Sequence, residues 1–266
     1  MISVPLFKRT MFSSLKFFIV FLAILTMYVS MIIYMFDPKL ADTLAKYQEM
    51  MPGVMAAVGM TGLGTTLISF IHTYLYGFIM LLIPMTFTII ITNKSLMKYV
   101  NTGSMACLLA TPNSRLKIIM TQLISIILSI TLLLTSITII GYFCSELMFK
   151  GALDLPKYIQ LNISNYLLQL AISSIAFFAA CVFNESKNYF FFGAGLPFLF
   201  YVIQMMANMG GHLKPLKYVT LFTLFAGNQI IAGDSGILIK NVVLCCIALF
   251  LYTGGAIYFT KKDLPL

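Results

Sequence analysis

The side chains that could do chemistry in this chain are few and scattered. Two histidines, His72 and His212, and five cysteines, Cys107, Cys144, Cys181, Cys245 and Cys246, fall into no metal-ligand spacing. The odd number of cysteines argues against a disulfide framework and for a packing role. No H-E-x-x-H, G-x-S-x-G or pair of carboxylates within an apolar run is present, which disfavours an intramembrane hydrolase. The glycine-rich stretch Gly62 to Thr66 lacks the lysine with which a phosphate-binding loop holds a nucleotide. The chain is therefore expected to bind no cofactor of its own. His72, beside Tyr74 and Tyr76, reads as a hydrogen-bonded interface residue rather than a catalytic base.

The elements that must position these residues are set by composition. Hydrophobic residues make up 60% of the 266 and charged residues 9%, well below the roughly 25% charged of a soluble domain. Mean hydropathy is +0.97. A hydrocarbon core of about 30 Å needs about 20 apolar residues as helix. Six runs reach that length: Phe17 to Phe36, Leu67 to Thr92, Ile118 to Phe143, Ile163 to Phe183, Tyr189 to Asn208 and Ile237 to Phe259. The strands of a membrane β-barrel, about 10 alternating residues each, do not fit them. The expected fold is an all-α polytopic membrane protein, one transmembrane domain over residues 1–266. The first run exceeds the apolar region of a cleaved signal peptide, about 7–15 residues, and should stay as an anchor.

Charge orients the spans. With the N-terminus in the cytosol, the inner segments hold Lys8, Arg9, Lys16, Lys94, Lys98, Arg115, Lys117, Lys187, Lys261 and Lys262, ten cations against Glu185 and Asp263. The outer segments hold seven cations against six anions. The excess of positive charge on short inner loops places both termini in the cytosol. The net charge of +9 then reads as attraction to anionic lipid headgroups and not to nucleic acid. No Asp or Glu lies within the six runs, so the intramembrane carboxylates typical of ion-driven carriers are missing. A transporter of this composition needs energy from a partner.

Between the runs, Leu40, Leu44, Tyr47, Met50 and Met51 form one apolar helical face, interrupted by Pro52 and Gly53, that suits the outer interface. Leu213 to Ile231 is too broken by polar residues to be a seventh crossing, and reads as interfacial or re-entrant. The inner segment Asn93 to Lys117 is basic and compact. Leu96, Tyr99, Val100, Cys107 and Leu108 recur near helical spacing with Lys94, Lys98 and Asn101 on a polar side, which predicts a short amphipathic helix over Leu96 to Leu109. Thr111 as N-cap and Pro112 as first residue then start the third span. Arg115 and Lys117 fall in its first turn, an unfavourable place for a cation. Either lipid phosphate or an acidic groove on a cytosolic partner would account for them.

Leu108, Thr111, Pro112 and Arg115, in the pattern L-x-x-T-P-x-x-R, together with the six-span layout and the closing Phe259, Lys261, Lys262 and Asp263, resemble the permease subunits of ABC-2-type exporters. The resemblance implies a bacterial cytoplasmic-membrane protein that pairs with a second permease, identical or paralogous, and with a cytosolic ATPase dimer carrying ATP and Mg. In that family the inner segment between spans two and three is the coupling helix, which implies ATPase-docking roles for Leu96, Tyr99, Val100, Met105, Leu108, Leu109, Thr111, Pro112 and Arg115. The segment Met1 to Lys16 then reads either as the family's interfacial helix or as a plain positive flank. Spans one, two and five would line the path, with Tyr76, Pro197, Gln204 and Asn208 as candidate lining residues and Gly193 to Pro197 as a kink. The scarcity of fixed charge favours an amphipathic or hydrophobic cargo: an antimicrobial peptide, a lipid-like molecule or a drug. Two other readings stay open, a stand-alone secondary carrier or channel, and a membrane immunity protein that sequesters a peptide without transport.

Overall fold

The computed structural model describes residues 2–37, 50–60, 64–109, 113–234 and 236–262. The chain is an all-α polytopic membrane protein, with six helices long and apolar enough to cross a membrane. In chain order the helices are α1 Val4–Tyr34, α2 Pro52–Ala57, α3 Leu67–Tyr76, α4 Ile79–Asn101, α5 Ser104–Leu109, α6 Arg115–Met148, α7 Leu155–Val182, α8 Ser186–Asn208, α9 Gly227–Ala232 and α10 Ile237–Lys261.

The first span begins earlier than its apolar run. Leu6, Thr10 and Ser14, then Leu25, Val29 and Ile33, are all buried and fall on one helical stripe. That stripe carries α1 without a break from Val4, so Val4 to Lys16 form neither a separate interfacial helix nor a loose flank. At 1.5 Å per residue its 31 residues span about 46 Å. It runs parallel to α6, which it meets from Ser3 N–H on Thr121 Oγ1 at 3.0 Å to Phe36 against Phe149 at 5.2 Å.

The second span is interrupted. α3 ends in a π-helical turn, His72–Tyr76, and the chain breaks at Gly77 and Phe78 before α4 resumes. A Cβ at Gly77 would stand 2.6 Å from Thr73 O and 2.9 Å from Val58 O. The backbone of Val58 and Gly59 crosses the span here, and only glycine admits it. Pro52 opens α2 at its first turn instead of interrupting a helix, a position where its missing N–H costs nothing. Of the apolar face expected before it, Leu40, Leu44 and Tyr47 lie outside the described residues.

α7 is the central helix. It packs against α4, α6, α8 and α10, and Ala171, Ala176, Ala179 and Ala180 on it are fully or nearly fully buried. Small residues let helices approach closely in lipid. Gly255 of α10 fits against the Phe177 ring and the Phe178 backbone, with 3.3 Å left for a Cβ, and the Tyr252 hydroxyl donates to Leu170 O at 3.2 Å. Between α8 and α10 the chain forms two 3-10 turns, Gly211–Tyr218 and Leu221–Leu224, and then α9. Phe222 is buried against Tyr201 at 5.3 Å and joins a cluster with Met85, Leu168 and Leu244. The second turn and α9 therefore pack onto the bundle through Phe222 and Ile230, while Gly211–Tyr218 has no buried residue.

Gly141 of α6 offers a direct test of this packing. A Cβ there would lie 2.3 Å from the Tyr158 hydroxyl and 3.4 Å from its ring carbon. Gly141→Ala is expected to destabilise the protein by about 1–3 kcal/mol, the usual cost of overpacking. Tyr158→Phe removes the obstructing oxygen, so the double variant should regain part of the loss in thermal unfolding in detergent.

Candidate functional site

One end of the bundle gathers the start of α1, the end of α10 and most of the cations among the described residues. α4 runs on through the inner segment to Asn101, widened by a π-helical turn at Asn93–Met97. Gly103, at φ +69, then breaks the helix before α5. The single amphipathic helix expected over Leu96 to Leu109 is thus two pieces, and the first belongs to the second span. Among the expected docking residues, Leu96, Val100 and Met105 are buried in the core of this chain, and Tyr99 and Leu108 are partly buried against it. Lys98, Asn101, Thr102 and Gly103 form the exposed tip. Thr111 and Pro112 lie outside the described residues, as does the side chain of Leu109.

The third span starts later than expected. Its N-cap is Ser114, whose hydroxyl accepts from Lys117 N–H at 3.2 Å, and Arg115 is the first helical residue. Ser114 displaces Thr111 because it stands directly before the helix and offers the same hydroxyl chemistry.

The unfavourable placement of Arg115 has an internal resolution. Its guanidinium donates to Lys262 O at 2.7 Å, at the C-terminal end of α10. The Lys262 ammonium in turn donates to Cys181 O at 3.2 Å and Val182 O at 2.6 Å, the last carbonyls of α7. Helix C-termini expose unpaired carbonyls and a partial negative charge, so each cation meets favourable acceptors. Burial holds the Lys262 ammonium below its usual pKa, with only a smaller opposing contribution from Cys181. Lys94 acts similarly: it donates to Ser13 O and its ammonium stands 4.5 Å from the Phe17 ring centre. With Asn101 Oδ1 accepting from Ser186 N–H at 3.4 Å, α1, α4, α6, α7, α8 and α10 are joined at this end by cations on carbonyls and one amide contact.

The expected path residues separate into two sites. Tyr76 is buried, and its hydroxyl donates to Asn162 Oδ1 at 2.7 Å. Asn162 Oδ1 also accepts from Thr138 at 2.8 Å, and its amide donates to Tyr158 O at 2.9 Å. Asn162, Asn165 and Gln169 follow one face of α7. Gln169 donates to Met80 O and Leu81 O, at 3.2 and 3.1 Å, just past the break in the second span. The Asn165 amide is buried without a hydrogen-bond partner among the described residues.

Gln204 and Asn208 lie at the far end of α8, bonded to each other at 2.8 Å. Gln204 accepts from Thr223 at 2.8 Å, and Asn208 reaches Ala57 O at 3.5 Å. Pro197 is buried just beyond a π-helical turn at Phe190–Ala194. The widened turn lies where the proline cannot donate to residue 193. Phe225, stacked 6.2 Å from Tyr76 and 6.5 Å from His72, connects the two sites through the segment between α8 and α10.

Asn162 and Gln169 were not among the residues singled out from the sequence, and Lys262 was named only as an inner cation and in the closing motif. The two amides had a signal in their spacing along the fourth span, whereas Lys262 looks like any lysine after an apolar run. Among the described residues no group of three or more metal-ligating side chains comes together. What the geometry provides is an anchored basic end and a buried polar seam. No protein-family model, no curated protein and no solved structure matches the chain, and its own architecture places it as an all-α polytopic membrane protein.

Proposed function

We propose that the chain is the membrane-spanning permease subunit of an ATP-binding-cassette exporter, moving an amphipathic or hydrophobic cargo outward with ATP hydrolysed by a separate cytosolic ATPase dimer. The observation that carries the reading is the tip after α4. Lys98 and Asn101 to Gly103 are exposed, while Leu96, Val100 and Met105 beside them are embedded in the core. A partner pressing on that tip would move the second span directly, because tip and span are one helix as far as Asn101. The resemblance of L-x-x-T-P-x-x-R at Leu108 to Arg115 points to an ATPase as the partner, and the analogy supplies the class, not the cargo.

In this reading the buried residues transmit and the exposed ones touch. ATP closure of the partner moves the tip, α4 shifts against α7, and the break at Gly77 and Phe78 lets α3 respond independently. A second permease copy or paralogue completes the path. Cytosolic termini follow from the same positive-inside asymmetry.

Purification in mild detergent should bring down a Mg-dependent ATPase with this chain. Recovery of the chain alone, without ATPase activity, would refute the reading and favour a secondary carrier or a peptide-sequestering immunity protein. Lys98→Glu combined with Asn101→Asp is expected to reduce ATPase recovery about tenfold, a change of roughly 1.4 kcal/mol. Because Lys98 is exposed and an aspartate at 101 keeps an oxygen to accept from Ser186 N–H, thermal stability should not change. Unaltered recovery would remove the tip as the docking surface.

A further inference from the structure

A crevice of about 570 Å³ lies between α8 and α10, floored by α7 and roofed by the two 3-10 turns. That volume is within the range of about 300–1,000 Å³ usual for small-ligand sites. Its walls are apolar, with Phe178, Phe200, Ile247 and Leu251 among them, and the one charged side chain lining it is Lys217. Leu251 lies 14 residues into α10 from Ile237, a depth of about 21 Å at 1.5 Å per residue. One leaflet is about 15 Å deep, half the hydrocarbon core. The crevice is therefore long enough to take an acyl chain from the bilayer around it.

The charge at its mouth selects the headgroup. Lys217 sits near the end of the 3-10 turn Gly211–Tyr218, with its carbonyl beside the Thr223 hydroxyl. Its ammonium lies 4.9 Å from the Tyr218 ring centre. Among the described residues the only ion pair is Lys157 with Asp154, so Lys217 has no carboxylate partner there. Lys240, from the first turn of α10, adds a second cation by donating to Thr223 O at 3.4 Å. No Asp or Glu occurs from Ser186 to Gly233. The next carboxylate, Asp234, lines a different crevice with Gln160 and Asn241.

We propose that this crevice is a specific site for an anionic phospholipid of the surrounding membrane, with its phosphate at Lys217 and an acyl chain along Phe200, Ile247 and Leu251. The site is independent of any ATPase partner. Cations near a membrane surface attract anionic headgroups, while an apolar crevice reaching past the leaflet midplane distinguishes a bound lipid from those merely adjacent.

The chain contains no tryptophan, so a single introduced one reports its own surroundings. Phe200→Trp is placed in the crevice, and Phe250→Trp on the outer face of α10, where the side chain is 76% exposed. Each variant is reconstituted in vesicles containing brominated phosphatidylglycerol or brominated phosphatidylcholine, and quenching is compared. At position 200 the anionic lipid should quench preferentially by about fivefold, the size expected for one lysine facing anionic headgroups. Lys217→Gln should abolish that preference and Lys217→Arg should keep it. Equal quenching by the two lipids, an equal preference at position 250, or a preference that survives Lys217→Gln would each overturn the proposal. Ile247→Trp serves as reporter if Phe200→Trp does not fold.

Discussion

Arg115→Glu is expected to release the C-terminal turn of α10 from the bundle. The wild-type guanidinium donates a charge-assisted bond to Lys262 O at 2.7 Å, and such bonds contribute about 1.5–3 kcal/mol. A carboxylate in its place would face the negative end of α10 and add a few tenths of a kcal/mol of repulsion. The combined loss, about 2–3 kcal/mol, corresponds to a fall in local hydrogen-exchange protection of roughly 30- to 150-fold. It should be confined to the last turns of α10 and α7, because Lys262 ties the two together through Cys181 O and Val182 O. Arg115→Lys keeps the charge but not the reach of the guanidinium fork, and should show a smaller loss.

That result separates two roles one residue could have. If Arg115 acts only on a cytosolic partner, its charge reversal leaves exchange in the isolated chain unchanged and lowers ATPase recovery alone. If it clamps α10, exchange changes without any partner, while Lys98→Glu, at the exposed tip, leaves exchange untouched. Wild-type protection at Tyr258 to Lys261 in the Arg115→Glu variant would dismiss the clamp.

The parts legible in the sequence were those governed by hydrophobic length. Six apolar runs gave six spanning helices, and Ile237 as the first residue of the last one was read correctly. Helix ends were less legible, because they depend on neighbours in space. α1 extends back to Val4 through Thr10 and Ser14, polar residues that a hydropathy reading places outside the membrane. Both are satisfied where they are buried, Thr10 by donating to Gln122 Oε1 of α6 at 3.1 Å and Ser14 by donating to Thr10 O of its own helix at 2.9 Å. The inner segment shows the same limit. Leu96 and Val100 have the periodicity of an amphipathic helix, but periodicity shows only that a face is covered. Whether a partner or the chain's own core covers it is a tertiary fact, and here the core does. Arg115 was puzzling for a related reason: its acceptor lies 147 positions away. Tyr76 was picked out in the sequence for a path, while its hydrogen-bond partner Asn162 falls just before the apolar run taken for the fourth span.

Asn162→Leu should produce the largest loss of stability among buried substitutions in the polar seam. The side chain accepts from Tyr76 and Thr138 and donates to Tyr158 O, so leucine removes three hydrogen bonds within α3, α6 and α7. Hydrogen bonds between membrane helices average about 0.6 kcal/mol each, and the two that join Asn162 to α3 and α6 would give roughly 1 kcal/mol. The Tyr76 hydroxyl, buried with its ring, would also lose its partner, and an orphaned buried polar group costs about 1–3 kcal/mol. A total of about 2–4 kcal/mol should be visible as a lowered thermal midpoint in detergent and as earlier proteolysis near Gly77. Tyr76→Phe in the same chain removes the orphan, so the double variant should be more stable than Asn162→Leu alone. If it is no more stable, the seam holds the bundle by packing, and its hydrogen bonds contribute little. If the recovery is seen, Asn162 connects the helix ahead of the Gly77 break to the central helix. Any movement of α3 relative to α7 that separates Tyr76 from Asn162 then costs that bond.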